Sequence, residues 1–365
     1  MISIRTFPPI LAFAFFIAPA ILLSILSFDD RAWALDIQSA RPGTLPLDQW
    51  RPWRDHFVGR DGRVVDDVNH ISHSEGQGYG QLLAVLAEDR AAFASMWSFT
   101  RTQLLLRDDG LAAWRWDADA SPHVTDINDA ADGDILIAYS LALAGDLWKS
   151  PALTAAAQEI AHAIGRVLVK KIDGRTLLLP AAEGFGPEER ADGPVINLSY
   201  WVFEALPVLS RLAPEADWSA LMATGGDLLQ TARFGPAQLP SNWISLHGQS
   251  VAPALGFDSQ FGYDAIRIPL YLVRAGIADK SNLGTFAAAW SEGQKSPQVI
   301  NIPDGRALNS LDEPGYRMIA AAVACAIYGK PIPAGLKTPN LTSYYPSTIR
   351  LLAFSAIQQY HPECL

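Results

Sequence analysis

With 365 residues, 49% of them hydrophobic and 18% charged, the chain has ample material for one large core or two ordinary ones and is too apolar to be disordered. Its net charge of −10 argues against nucleic acid or an anionic membrane surface as partner, since both would repel it. Eleven tryptophans and ten tyrosines suit a sugar-stacking cleft as well as a large helical core.

Residues 1–34 read as an export signal: one positive charge in Met1 to Arg5, an apolar run from Ile10 to Phe28, and an Ala-x-Ala site at Ala32-Trp33-Ala34. The run is longer than a usual signal core, so an uncleaved anchor is the alternative. In either case the folded part is expected in the periplasm or outside the cell. Residues 35–365 are then expected to form a single domain. The two cysteines do not make a disulfide scaffold or a thiolate metal site. Cys325 lies in a buried-helix pattern and Cys364 beside the C-terminus; they read as two structural thiols, with one terminal disulfide as the alternative.

Residues 35–68 look irregular, with Pro42, Pro46, Pro52 and an Asp61-Gly62 turn. Helical patterns then dominate: 75–87 with 90–106, 130–145 with 151–169, 198–212 with 217–230, 263–276 with 280–293, and 312–328 with 345–359. A strand-like turn at 172–180 carries Asp173-Gly174, and 234–258 is a Pro/Gly-rich loop. The class is therefore all-α.

Spacing carries more information than the helix count. Polar helix starts at Glu75, Asp132, Tyr200 and Asp264 follow one another at intervals of 57, 68 and 64 residues. Each interval is the length of an αα-hairpin repeat. In a toroid of such hairpins every second helix starts on the same rim, which gathers these residues round one cleft. An open solenoid would spread them out.

The first of these starts is Ser74-Glu75-Gly76-Gln77-Gly78-Tyr79-Gly80, with Ser74 as a candidate N-cap and Glu75 in the first turn. Three glycines at alternate positions each cost a helix about 1 kcal/mol against alanine, so something must need the bare backbone, such as a ligand in close approach. Glu75 and Tyr79 are then the large reactive groups of that rim. The spacing is not that of a dinucleotide fingerprint, and no hydrophobic strand precedes it. Asp126 to Asp134 fails as a calcium loop, no zinc motif exists, and His70 and His73 read as structural. No metal or cofactor is therefore expected, and side chains must do the chemistry. Arg267 follows Asp264 by three residues, on the same helical face, where it would hold that carboxylate ionised. One carboxyl kept protonated and one kept ionised is the requirement of glycoside hydrolysis, and Glu75 and Asp264 fit the two roles. Trp114, Trp116, Trp201, Trp243, Tyr344 and Tyr345 are candidate flat faces for sugar rings.

Four of these segments, Ser74 to Gly80, Ala131-Asp-Gly-Asp134, Asn197-Leu-Ser-Tyr200 and Tyr263-Asp-Ala-Ile-Arg267, occur in the order seen in glycoside hydrolase family 8. The chain resembles that family over roughly residues 70–360, and in particular its cellulase branch associated with bacterial cellulose synthase operons; Leu111 to Trp116 and Tyr344-Tyr345 also fit. The sequence departs at Leu198, where the family has proline, and at Gln81, where methionine is usual. The resemblance implies an (α/α)6 barrel, an inverting mechanism without metal, and a β-1,4-glucan (cellulose) as substrate. It implies Glu75 as general acid, Asp264 as base and Asp132 as the residue that holds and distorts the sugar. Tyr200 and Arg267 would support water and base, with Trp116 a stacking platform. Trp114, Tyr79, Tyr263 and Tyr344 complete the expected substrate contacts, and a cellulose synthase complex is a candidate partner. Xylan, mixed-linkage glucan or chitosan would be alternative substrates within the same chemistry. A catalytically silent glucan-binding protein and a structural subunit of an envelope secretion complex are the readings outside it.

Overall fold

The computed structural model describes residues 37–365; the segment read as an export signal lies outside them. Helices α1 (Leu47–Phe57), α2 (Ser74–Leu86), α3 (Arg90–Gln103), α4 (Ala131–Leu147), α5 (Pro151–Val167) and α6 (Leu206–Leu212) form the first half. The second half holds α7 (Trp218–Thr231), α8 (Arg267–Arg274), α9 (Lys280–Ala289), α10 (Pro314–Tyr328), α11 (Ala334–Lys337) and α12 (Tyr344–Tyr360).

Two kinds of helix alternate because two kinds of sequence do. Residues 131–142 of α4 are all buried, as are ten of the fifteen residues of α10, since small and aliphatic residues dominate both. Such helices belong inside. Helix α5 instead buries one stripe, Ala157, Ile160, Ala161 and Ile164, at the helical spacing. The inner helices close a ring: α2 packs on α4, α4 on α6, the turn before α6 on α8, α8 on α10 and α12, and α12 on α2. Outer helices α3, α5, α7 and α9 each follow their inner partner in the chain, α11 packs on α10, and α1 covers α12 and α2. The architecture is an (α/α)6 barrel, with one contiguous apolar core running from Ala40 to Cys364.

Helix α1 corrects the reading of 35–68 as irregular. Trp50, Trp53 and Phe57 form one buried face, and the two indoles stack with centroids 5.3 Å apart. Burying them outweighs the hydrogen bond that Pro52 cannot donate. The segment at 198–212 is not one helix. It consists of 3-10 turns at Leu198–Tyr200 and Phe203–Ala205 and then α6, because Asn197 caps the first turn through its side chain. Cys325 and Cys364 form a disulfide, against the reading as free thiols. The ring brings the end of α10 to the C-terminal turn, a proximity that sequence distance conceals.

Strands are short and serve as links. Strands β1 (Ile71–His73) and β2 (Arg115–Asp117) pair antiparallel, which ties the 111–117 segment to the start of α2. Strands β3 (Val169–Ile172) and β4 (Arg175–Leu178) form a hairpin whose turn residues Asp173 and Gly174 both have positive φ, 50° and 82°. Strands β5 (Val195–Ile196), β6 (Ile244–His247) and β7 (Ser250–Pro253) make one small sheet. Strands β8 (Gln260–Phe261), β9 (Gln298–Asn301) and β10 (Ala307–Ser310) make another.

The glycines of α2 serve packing rather than a ligand, which corrects that expectation. A Cβ on Gly78 would lie 2.5 Å from Leu136 Cβ of α4. From the other side, a Cβ on Gly133 would lie 2.1 Å from Ser74 Oγ and 2.8 Å from the Glu75 nitrogen. The two bare backbones let α2 and α4 approach at their N-termini, and this sets Glu75 and Asp132 side by side.

Candidate active site

Local chain chemistry places each carboxylate. His73, not Ser74, caps α2: its Nδ1 accepts from the Gly76 N–H at 2.9 Å, and burial keeps the imidazole pKa below its usual value, so it remains neutral and able to accept. Ser74 is the first helical residue, with its N–H donating to the Trp114 carbonyl at 2.9 Å. Glu75 then stands in the first turn of α2 and Asp132 in the first turn of α4, both near N–H groups that favour an anion. Asp264 lies in the turn before α8, and Arg267 opens that helix.

Arg267 is the hub, with a side chain 2% exposed. Its Nη1 donates to Glu75 Oε2 at 2.7 Å and to Asp132 Oδ2 at 2.9 Å. Its Nη2 donates to Ser199 Oγ at 3.0 Å and lies 3.5 Å from Asp264 Oδ1. The guanidinium carbon is 5.5 Å from the centre of the Tyr200 ring. The expected rim is thus assembled: Glu75, Asp132, Tyr200, Asp264 and Arg267 meet at one end of the ring. One detail differs from the sequence reading. The tightest bonds of Arg267 go to Glu75 and Asp132, and Asp264 is its more distant partner.

Three carboxyls share one cation, so they cannot all be ionised cheaply. Asp132, enclosed and beside Glu75, is pushed up to about 7, against the pull of Arg267. Enclosure also raises Asp264, and Asp132 adds to it, while Arg267 and a contact with Asn197 draw it down. Glu75 and Asp264 face a common cleft of about 480 Å³, with side chains 18% and 36% exposed. Tyr263, Tyr316, Tyr345 and Glu313 line the same cleft. Tyr263 is 48% exposed with its edge against Tyr316, and its carbonyl accepts from the Tyr345 hydroxyl at 2.7 Å.

Other expected contacts lie elsewhere. Tyr79 is fully buried one turn below Glu75, where its hydroxyl meets that of Tyr271 at 2.5 Å and lies 3.5 Å from Arg267 Nη1. It supports the hub from beneath and is not a rim residue. Trp116 is 8% exposed, with Phe99 against it, the His123 ring 4.4 Å away and the Arg63 guanidinium carbon 4.9 Å away. Its faces are taken, because the pairing of β1 with β2 turns it inward. Trp114 is half-buried and donates to Asp126 at 2.8 Å, outside the cleft described above. Tyr344 borders the cleft but is 1% exposed, packed against Phe57 and His73, with a hydroxyl that has no partner among the described residues. The sequence reading missed Tyr316 and Glu313, which stand at the start of α10. Among the described residues no group of three or more His, Cys, Asp or Glu is arranged to hold a metal ion.

Known proteins share this fold. Residues 21–359 match the family described as glycosyl hydrolases family 8. A probable endoglucanase from Novacetimonas hansenii is 33% identical over 84% of this chain and 90% of its own length. An endoglucanase from Cellulomonas uda is 33% identical over 69% of this chain and 70% of its own. Among solved structures, endo-beta-1,4-glucanase CMCax from Acetobacter xylinum superposes with a TM-score of 0.77 at 32% identity, covering 84% of this chain and 96% of that one. The chain belongs to glycosyl hydrolase family 8, and it is a glycoside hydrolase built on an (α/α)6 barrel.

Proposed function

We propose that this glycoside hydrolase is an endo-1,4-β-glucanase that cleaves cellulose-type chains by inversion, with Glu75 as acid and Asp264 as base. The observation that carries the reading is the single buried guanidinium of Arg267, which holds Glu75 and Asp132 on one nitrogen and Asp264 near the other, at the wall of an aromatic cleft. The Glu75 proton goes to the leaving glycosidic oxygen as the C–O bond breaks. A water oxygen attacks the anomeric carbon from the opposite face and gives its proton to Asp264. An inverting pair needs its carboxyls about 6.5–9.5 Å apart, to leave room for that water. Asp132 titrates near neutrality beside Glu75, so the pair keeps a proton within reach of the leaving oxygen. Tyr200 and Arg267 frame the water side, and exposed Tyr263 offers a face to a sugar ring.

The names of the relatives support the substrate class. An exported location is supported by the signal-like N-terminus and by the Cys325–Cys364 disulfide, a bond that persists in oxidising compartments. Action beside a cellulose synthase complex rests on the motif resemblance alone.

The test is viscosity loss and reducing-end release on soluble carboxymethyl cellulose, with residues 35–365 and their Glu75→Gln variant. Rapid thinning that falls by about 10³-fold in the variant is expected. Intact cellulose with the unaltered protein would overturn the substrate, and xylan and chitosan would then be assayed.

A further inference from the structure

His73 stands where a helix start usually has serine, threonine, aspartate or asparagine. Its Nδ1 accepts from the Gly76 N–H at 2.9 Å, so the bond spans His73 to Gly76 and encloses Glu75. A Cβ on Gly76 would stand 3.2 Å from His73 Cε1, 3.3 Å from Nδ1 and 3.1 Å from the Tyr344 hydroxyl. That crowding accounts for the bare position 76: the imidazole lies across the first turn of α2, and it meets the Tyr344 ring edge to face with centroids 5.6 Å apart. The backbone leading into the turn is pinned as well. Ile71 to His73 pair with β2, and the Ser74 N–H donates to the Trp114 carbonyl.

The bond requires a neutral ring. Nδ1 accepts only while it carries no proton, which puts the ring proton on Nε2, 4.0 Å from Asp66 Oδ2. Several charged groups act on the imidazole: Asp66 from the loop before β1, Asp132 from α4, Arg267 from α8, and Glu75 on its own helix. Arg115, its partner across the β1–β2 pair, is engaged with Asp117 at 3.1 Å, and the Tyr344 hydroxyl comes from α12. Enclosure opposes a charge on the ring more strongly than the two aspartates favour one. An aspartate could cap the helix too, but it would add a further acid beside Glu75, Asp132 and Asp264. The imidazole caps without charge.

We propose that His73 is the positioning residue of the acid: its neutral imidazole bridges the first turn of α2 and sets where the Glu75 carboxyl stands in the cleft. Both residues border that cleft. Glu75 is then fixed twice, by its carboxyl on Arg267 Nη1 and by its backbone through His73. The assignment deepens the proposed function and rests on Glu75 being the acid of that reaction.

The test joins the ring tautomer of His73, read by ¹⁵N NMR of the imidazole in the unaltered protein, to kcat and KM of variants on carboxymethyl cellulose. A neutral ring with its proton on Nε2 is expected near neutral pH; a proton on Nδ1 would overturn the proposal. His73→Ala is expected to lower kcat about tenfold while KM stays within about twofold, the split that follows from a misplaced acid rather than lost binding. His73→Asn, whose side-chain oxygen can accept the same N–H, is expected to recover most of that loss. His73→Phe keeps a ring against Tyr344 but has no acceptor; it is expected to lose kcat as the alanine variant does, which keeps the proposal testable should His73→Ala fail to fold. Unaltered kcat in the folded variants, with only a lower urea midpoint, would make His73 a structural cap and overturn it. If the unaltered protein cleaves no glucan, the functional reading fails while the tautomer still decides whether His73 holds the turn.

Discussion

Helix α8 carries two buried arginines seven residues apart, about two turns, and they occupy opposite kinds of environment. Arg274 faces one carboxylate. Its Nε and Nη2 donate to Glu204 at 2.5 and 3.0 Å, and its Nη1 donates to the Leu352 carbonyl and to Ser355 Oγ, both at 2.8 Å. Tyr139 adds its hydroxyl to Glu204. One charge meets one charge, every guanidinium nitrogen donates, and α4, the 3-10 turn before α6, α8 and α12 are locked together. Arg267 faces three carboxyls, its Nε has no partner among the described residues, and Asp132 beside it is raised to about 7. The saturated network fixes the barrel, and the oversubscribed one leaves a buried carboxyl, Asp132, pushed up to about 7 beside Glu75. Burial of a cation does not by itself tell a brace from a site; the count of anions per cation does.

Exchanging each arginine for methionine breaks the comparison most sharply. Arg267→Met is expected to lower kcat on soluble glucan by about 10³-fold with a modest loss of stability, because Asp132 can take up a proton and Glu75 borders the cleft. Arg274→Met leaves Glu204 buried and unpaired, and is expected to cost about 3–5 kcal/mol in urea unfolding while the folded fraction retains its kcat. Equal stability losses in the two variants would remove the distinction.

A smaller effect sharpens it through pH. Asp132 has a folded pKa of about 7 against 3.8 for the free side chain, so the folded state holds its proton longer. Its contribution is fully present below about pH 4 and is lost as pH rises to about 7, at up to about 1.4 kcal/mol per unit. Asp132→Asn should flatten that part of the stability profile, read by denaturant midpoints between pH 4 and 7. An unchanged slope would place the proton elsewhere.

Much of this site was legible in the sequence, for a physical reason. The intervals between Glu75, Asp132, Tyr200 and Asp264 follow from hairpin length, and a closed ring converts equal intervals into one rim. What sequence concealed was direction. Helix α2 is buried on nearly every side, so periodicity gave no way to tell that Tyr79 points beneath Arg267 rather than to the rim. The glycines signalled close approach, but only the structure shows that the body approaching Gly78 is α4 and that Gly76 and Gly80 face Tyr344 and Met96. Trp116 turned inward because strand pairing, not loop composition, set its face.

Inversion requires Glu75 and Asp264 to act from opposite faces of one glycosidic bond. The most direct measurement is ¹H NMR of the first reducing ends released from a soluble cello-oligosaccharide, before mutarotation scrambles them. The α-anomer appearing first, and failing to appear with Glu75→Gln, is the predicted result; the β-anomer appearing first would contradict it.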